Sequence, residues 1–336
     1  MTELRSHELS ADHQVINAMT VDVEDYFHVS GFEDVVRRED WDAFPSRVEM
    51  NTRRLLPILA DHSVKATFFV LGWVAERFPH VVKEIHVAGH EIGCHSYWHR
   101  LVYEQTPAQF QEDTHRAKAI LEDITGGPVL GYRAPSYSIV RQTPWAFDVL
   151  AEEGFSYDSS VYPILRDRYG IPGAPRFPYR VALGNGQPIL SRARSIPGSR
   201  KSLKQTSGFP ALAQELNNST DSTDSIVEIP PSTIRILGIP IPVGGGGYLR
   251  LFPERFTHWA IRRVNRREGM PVVSYIHPWE LDPDQPRLRG GQISTLRHYV
   301  NLQQTESRLR SLLRQHRFRP IRDLVANFVA QGGWRR

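Results

Sequence analysis

The sequence of 336 residues lacks the marks of several protein classes. It has a single cysteine, Cys94, which excludes an intrachain disulfide framework. It has no run of eighteen apolar residues that could span a membrane, and the polar segment 1–15 lacks the apolar core of a signal peptide. Without a visible signal peptide or membrane span, we expect the protein to be cytoplasmic. Hydrophobic content of 40% and charged content of 23% are typical of a globular enzyme.

Positively and negatively charged residues are nearly equal in number, which gives a net charge of +4. Much of the excess lies in arginines near the C-terminus, and these alternate with leucines. This pattern favours an amphipathic helix with a solvated basic face. We therefore expect no nucleic-acid partner, and at most peripheral contact with an anionic membrane surface or a glycan carrier.

Strand and helix patterns alternate along most of the chain, as they do in an α/β barrel. Between about 163 and 247 the alternation stops, prolines and glycines are frequent, and 217–225 is a low-complexity loop. The run from Gly244 to Gly247 lacks the lysine of a phosphate-binding loop, so we interpret it as a turn or hinge. Strands are predicted at 15–23, 65–71, 91–94, 129–132, 155–158, 226–229 and 272–276, and a C-terminal helix at 296–316.

Two histidines, His95 and His99, are the first candidates for chemistry. Four residues apart, they would lie on one face of a helical turn, where both could reach one metal ion. A carboxylate from a strand end could complete a three-ligand site with an open position for water or substrate. The acidic cluster Asp22, Glu24 and Asp25 ends the first predicted strand. A structural or surface histidine pair is the alternative at this stage.

Three further segments follow the acidic cluster and the histidine pair in a characteristic order. They are Arg133-Ala134-Pro135-Ser136-Tyr137, then Tyr157-Asp158-Ser159-Ser160, then the run from Val272 to Glu280, which contains His277. With them, residues 15 to 285 resemble the polysaccharide deacetylase family (NodB-homology, carbohydrate esterase type). The resemblance is strongest to the branch that accompanies exopolysaccharide and exosortase loci.

The resemblance implies an α/β fold, a distorted (β/α) barrel of the NodB-homology type. An irregular insertion at about 163–247 would cover the barrel mouth, and a helical extension would follow at about 286–336. We expect the whole chain to form a single domain.

The resemblance also assigns roles. Asp22 would be the general base, Arg133 its ion-pair partner and His277 the general acid. The backbone N–H of Tyr137 would face the oxyanion, and Asp158 would be the carboxylate partner of His277.

The implied cofactor is one divalent metal ion, zinc or an ion such as cobalt or nickel, since imidazole and carboxylate ligands do not decide between them. His95 and His99 would bind it with an acidic third ligand. Val23 stands where the family usually has the second aspartate, so Glu24 is the first choice and Asp25 the second. Glu24 lies on the same side of an extended strand as Asp22.

The implied activity is removal of N-acetyl groups from an N-acetylhexosamine glycan or a lipid- or nucleotide-linked precursor. An N-acetylated sugar is then the expected partner, and the sequence predicts no oligomeric state. Tyr275 replaces a leucine that lines the family's acetyl-methyl pocket, which leaves open an amidase or imidase that acts on a small non-sugar amide. A catalytically silent glycan-binding protein is the second alternative.

Overall fold

The computed structural model describes residues 15–166, 168–184 and 225–331. Its strands are β1 (Asn17–Val23), β2 (Thr67–Val70), β3 (Glu91–Cys94), β4 (Gly131–Tyr132), β5 (Tyr157–Asp158), β6 (Tyr179–Ala182), β7 (Ser225–Glu228), β8 (Thr233–Ile236), β9 (Ile239–Pro242), β10 (Val273–Ile276) and β11 (Phe318–Arg319). Its α-helices are α1 (Val48–Asp61), α2 (Gly72–Arg77), α3 (Pro79–Val87), α4 (Pro107–Thr125), α5 (Ala146–Glu152), α6 (Gly247–Leu251), α7 (Glu254–Arg263), α8 (Gln292–Tyr299), α9 (Thr305–Gln315) and α10 (Ile321–Ala330).

One curled sheet organises the molecule, with strand order β10-β1-β2-β3-β4-β5-β7-β6. Neighbouring strands are parallel except β6 and β7, and β11 pairs with the start of β1. The β2 sequence Thr-Phe-Phe-Val is buried throughout, as expected for a parallel strand covered on both faces. The predicted α/β fold is confirmed as a curled half-barrel. Because the main strands are parallel, their carboxyl ends meet at one edge, where barrel enzymes place their catalytic residues.

The segment predicted as an insertion is only partly covered, because 185–224, including most of the low-complexity loop, lies outside the described residues. Four strands lie in its described parts. Strands β6 and β7 extend the sheet, and β8 and β9 form a separate antiparallel hairpin. The prediction of one helix over 296–316 is wrong: Asn301, with a φ of 53°, separates α8 from α9.

A second, smaller core lies on one face of the sheet, made by Ala18, Phe69, Tyr157 and Val273 together with apolar residues of α10. The C-terminal helix α10 therefore packs directly against the strands. In the described part of the chain, every helix is too short or too polar to cross a bilayer.

A buried carboxylate holds this helix in place. Glu91, on β3, accepts hydrogen bonds from Thr67 Oγ1 (2.5 Å), Tyr157 Oη (2.9 Å) and the backbone N–H of Arg322 (3.0 Å). Thr67 Oγ1 in turn accepts from the N–H of Ile321 at 2.7 Å. Two of the N–H groups at the start of α10 are thus satisfied by β2 and β3, groups that a helix cannot satisfy itself.

We expect Glu91→Ala to lower the free energy of unfolding by about 2 kcal/mol or more, because it leaves several buried donors without an acceptor. Denaturant titration measures the loss, and faster hydrogen exchange in α10 than elsewhere would locate it. Glu84→Ala is the control, since Glu84 pairs with Arg53 on the surface and such pairs contribute about 1 kcal/mol or less. Equal losses in the two variants would contradict this account.

Candidate active site

Asp22 lies near the carboxyl end of β1 and is buried. Its Oδ1 accepts a hydrogen bond from Arg133 Nη1 at 2.6 Å. Arg133 follows β4 and is fully buried, and it also donates hydrogen bonds to Thr20 Oγ1 and to the carbonyl and hydroxyl oxygens of Ser159. Charge-assisted hydrogen bonds of this kind fix the orientation of both groups. The other carboxylate oxygen of Asp22, Oδ2, does not take part in the hydrogen bond with Arg133.

Glu24, His95 and His99 converge on one point next to Asp22. One ligand atom from each lies within 4.8 Å of the other two, and all three residues are buried. Glu24 follows β1 and His95 follows β3, so two parallel strands on either side of β2 deliver two of the three groups. Glu24 and the two histidines therefore meet as the sequence predicted.

The backbone that carries the histidines differs from the prediction. Residues 95–100 form a loop, not a helical turn, and both Ser96 (φ 63°) and His99 (φ 51°) adopt left-handed conformations. The His99 N–H donates to Ser96 Oγ at 3.1 Å, which fixes this shape. The spacing of four thus brings the imidazoles together by a loop, with ring centres 5.3 Å apart.

The donor set fits a metal ion. His95 Nδ1 lies 2.7 Å from the Arg133 carbonyl oxygen, which can only accept, so Nδ1 carries the proton and Nε2 keeps its lone pair. Burial lowers the pKa of His95 to about 4, which keeps the ring neutral as a ligand must be. Glu24 Oε2 lies 2.8 Å from His99 Nε2, yet this buried oxygen has no hydrogen-bond partner among the described residues.

Glu24 is ionised in this setting. Its burial acts to raise the pKa, but the close contact with His99 and the neighbouring His277 outweigh burial and hold the pKa well below its usual range. Trp279 Nε1 donates to its other oxygen, Oε1, at 3.3 Å. An anionic carboxylate and two imidazoles form a common ligand set for a divalent ion with an open position.

Asp25, the second choice for the acidic ligand, points elsewhere. Its Oδ2 accepts from Ser46 Oγ (2.6 Å) and from the backbone N–H groups of Arg47 (2.8 Å) and Val48 (3.1 Å). These contacts cap the start of α1, where N–H groups lack helical partners. The structure thus places Glu24, and not Asp25, with the histidines.

His277 follows β10 and faces the same point from the other side of β1. Its Nε2 lies 3.6 Å from Glu24 Oε1 and 3.9 Å from Asp22 Oδ2. Its Nδ1 lies 2.8 Å from Glu280 Oε1, and a buried arginine, Arg250, binds the other oxygen of Glu280 at 2.6 Å. Burial opposes protonation, but Glu280 and the nearby carboxylates raise the pKa of His277 to about 9.

The predicted partnership of Asp158 with His277 is wrong, because Glu280 occupies that position. Asp158 ends β5 and instead accepts hydrogen bonds from Ser160 Oγ (2.6 Å) and the Ser160 N–H (3.1 Å). Glu228, at the end of β7, lies beside it, and burial raises the pKa of both carboxyl groups. Sequence reasoning missed Glu280, although a glutamate three residues after a histidine is the spacing of a capping box, which these two residues form.

Tyr137 lies beside Arg133, but its backbone N–H already donates to the Ala134 carbonyl at 3.1 Å. The oxyanion role implied for this N–H is therefore not available in the present geometry. The tight turn responsible has left-handed φ angles at Ser136 (50°) and Tyr137 (56°). The Tyr137 ring contacts the rings of Tyr162 and Tyr275, which form an aromatic wall next to His277.

The Gly244–Gly247 run, predicted as a turn or hinge, forms a turn that packs against this wall. A side chain at Gly245 would come within 2.3 Å of the Tyr275 ring, and one at Gly246 within 2.5 Å. The Gly246 N–H also donates to the Tyr275 carbonyl at 2.8 Å. Two glycines are thus needed for the backbone to lie against the bulky residue that replaces leucine.

Comparison with known proteins agrees with this arrangement. The profile described as "Polysaccharide deacetylase" matches residues 40–155, which carry His95, His99 and Arg133. Residues 40–155 therefore form a polysaccharide deacetylase domain. A second profile, described as a domain of unknown function (DUF3473), matches residues 196–326 and includes Arg250, His277 and Glu280.

Individual members of the family support the assignment over parts of their length. A peptidoglycan-N-acetylglucosamine deacetylase of Bacillus cereus is 30% identical over 135 residues, which are 37% of this chain and 48% of that protein. A chitooligosaccharide deacetylase of Azorhizobium caulinodans is 33% identical over 85 residues, 25% of this chain and 40% of that protein. The chain thus spans half or less of the curated relatives it matches.

A solved structure of a Mycobacterium smegmatis protein assigned to the polysaccharide deacetylases extends the likeness of fold to nearly the whole chain. It has a TM-score of 0.55 and 20% identity, and the match covers 95% of this chain and 91% of that one. The deacetylase-family fold therefore includes the segment matched by the second profile. That segment contributes β10, the acid candidate His277 and the two residues behind it.

Proposed function

We propose that this protein is a metal-dependent hydrolase that removes the N-acetyl group from an N-acetylhexosamine unit of a glycan or glycan precursor. The observation that carries the proposal is the convergence of three kinds of group at one edge of the sheet. These are the Glu24, His95 and His99 ligand set, the Asp22–Arg133 ion pair and the His277–Glu280 pair.

Glu24 Oε2, His95 Nε2 and His99 Nε2 would hold the metal ion, and zinc is the first candidate. A divalent ion bound there supplies Lewis acidity, which polarises the scissile carbonyl and makes a bound water more acidic. The buried surroundings of all three ligands strengthen such electrostatic effects, since the local dielectric is low.

Asp22 would act as the general base. Arg133 holds Oδ1, so Oδ2 is the oxygen that accepts the proton of the attacking water. The charge-assisted hydrogen bond from the buried Arg133 guanidinium holds the Asp22 carboxylate in one orientation. Arg133 would therefore be a positioning residue that acts through Asp22.

His277 would act as the general acid that protonates the leaving amine. Because Glu280 holds the Nδ1–H, Nε2 is the nitrogen that faces Asp22 and Glu24 and can give its proton to a substrate between them. The distances of 3.6 and 3.9 Å leave these groups close, but without direct hydrogen bonds. Glu280 and Arg250 would orient the ring from behind.

We expect Glu280→Gln to lower kcat about tenfold or more with little change in KM, because it weakens the orientation of a group that contributes roughly 100-fold or more. Steady-state kinetics on the metal-loaded protein measures the split. Glu306→Gln is the matched control, since Glu306 also pairs with arginines, but on the surface. A fall in kcat equal to that of the control would remove Glu280 from the site.

Substrate identity is the test of the proposal as a whole. The metal-loaded protein should release acetate from N-acetylglucosamine oligomers, and His277→Ala should not. Release of product from small imides but not from the oligomers would replace the sugar by a small amide, a choice that the bulky Tyr275 in the acyl-pocket position would then explain. Binding of the oligomers with no turnover of either substrate would leave only a glycan-binding protein.

A further inference from the structure

A second surface with its own chemistry lies on the hairpin of β8 and β9 and on helix α7. The two elements pack together through a small apolar cluster: Ile234, Val243 and Ala260, flanked by Ile236, Ile241 and Phe256. None of these residues belongs to the site described above. We call the outer side of this unit the hairpin–α7 face.

Helix α7 presents a basic row to solvent. Arg255, Trp259 and Arg262 are exposed and have the spacing i, i+4, i+7, which places them on one side of the helix. Arg266 and Arg267 are exposed in the π-helical segment Val264–Glu268 that continues the helix. Its opposite side, with His258 and Ile261, is buried, so α7 is a basic amphipathic helix with an exposed tryptophan.

The arginines of this face have no acidic partner among the described residues, in contrast to several paired arginines elsewhere on the surface. Arg53, Arg54 and Arg310 each pair with a described carboxylate. Among the described residues, no carboxylate lies within ion-pair distance of the six arginines of the hairpin–α7 face: Arg235, Arg255, Arg262, Arg263, Arg266 and Arg267. Arg262 donates to Gln315 and Arg263 lies over the Trp259 ring, so their charges remain uncompensated.

Large apolar side chains lie beside this charge. Leu237, at the tip of the hairpin, is 96% exposed, and Ile239 and Trp259 are 64% and 43% exposed. Leu237 and Gly238 form the two-residue turn with φ angles of 50° and 82°. Such a turn strongly prefers asparagine or glycine at its first position, so leucine here is unfavourable both for the backbone and for hydration.

We propose that the hairpin–α7 face binds the surface of an anionic lipid bilayer, with Leu237, Ile239 and Trp259 in the interfacial region and the arginines against the lipid headgroups. Basic helices with an aromatic residue bind such surfaces through buried apolar area and charge together. A soluble polyanion would match the arginines but would leave Leu237 and Ile239 in water. A second copy of the chain would bring the same uncompensated positive charge to the contact.

Vesicle co-sedimentation of the full-length protein tests this proposal, and it does not depend on the chemistry at the metal site. We expect binding to vesicles of phosphatidylcholine with phosphatidylglycerol, no binding to phosphatidylcholine alone, and weaker binding as salt shortens the range of electrostatic attraction. Each arginine near an anionic surface contributes roughly fivefold, so Arg262→Glu with Arg266→Glu should weaken binding by about 25-fold or more.

Leu237→Asn separates binding from folding. Asparagine suits the turn better, so the melting temperature should not fall. Loss of the leucine side chain that would enter the bilayer should weaken vesicle binding about tenfold or more. Val87→Ser and Arg37→Glu are controls at other exposed sites and should bind as the unmodified protein does. Failure to bind anionic vesicles, or equal binding by Leu237→Asn, would overturn the proposal. So would a lipid-free dimer that Leu237→Asn dissociates, which would assign the face to self-association.

Discussion

Replacing either His95 or His99 by alanine should remove the bound metal and, with it, nearly all activity. Each variant leaves two ligands where three converge, and affinity for a divalent ion falls steeply when a ligand is lost. Metal analysis of the purified variants should show well under the roughly one ion per chain expected of the unmodified protein. The rate of acetate release should fall about 100-fold or more, the scale of a lost water-activating group.

The two neighbouring acidic residues, Glu24 and Asp25, provide a matched pair of variants for this experiment. Glu24→Gln should lose metal like the histidine variants, whereas Asp25→Asn should retain it and lower the melting temperature instead, because Asp25 caps α1. Unchanged metal content in both histidine variants, or loss of metal from Asp25→Asn alone, would contradict the assignment of ligands.

Asp22→Asn should keep the metal yet lower kcat by at least about 100-fold, the usual contribution of a general base. Asparagine can still accept the hydrogen bond of Arg133 through its amide oxygen, so the side chain stays in place but cannot take a proton. Metal analysis and single-turnover kinetics on the same sample separate this effect from loss of the ion. Near-full activity of the variant would mean that the base lies elsewhere.

The double variant Asp22→Asn with His277→Ala supplies an internal check. Groups that act on one reaction as a unit give losses that are less than additive. A double variant no slower than the slower single variant is therefore expected. Losses that multiply in full would indicate that the two residues act in separate steps.

The common side of Asp22 and Glu24 on β1 follows from strand periodicity, whereas the roles of the site residues are implied by the family resemblance. Asp22 and Glu24 alternate with Val21 and Val23, so both were expected on one side of β1, and the structure places both next to His95 and His99. Parallel strands deliver such residues to a common edge, which is why the order of β and α segments predicted the neighbourhood.

Contacts that depend on loops and on burial were not predictable in this way. His277 pairs with Glu280 because a tight turn after β10 brings a residue three positions away under the ring, whereas the resemblance pointed to Asp158. Left-handed angles at Ser96, His99 and Ser136 belong to non-glycine residues, so no glycine in the sequence signals them. The close approach of Gly245 to the Tyr275 ring could be predicted only by knowing which strand lies against the glycine.

The position of β1 in the sheet has a consequence for how the chain is made. Its neighbours include β10 and β11, which lie some 250 to 300 residues later in the sequence. Helix α10, which packs on the sheet through the small core that contains Ala18, follows both strands in the sequence. During synthesis from the N-terminus at about 5–20 residues per second, β1 must wait for many seconds before these partners exist. Asp22 and His277 cannot be brought together until then, so the nascent chain is expected to remain inactive until its last quarter has left the ribosome.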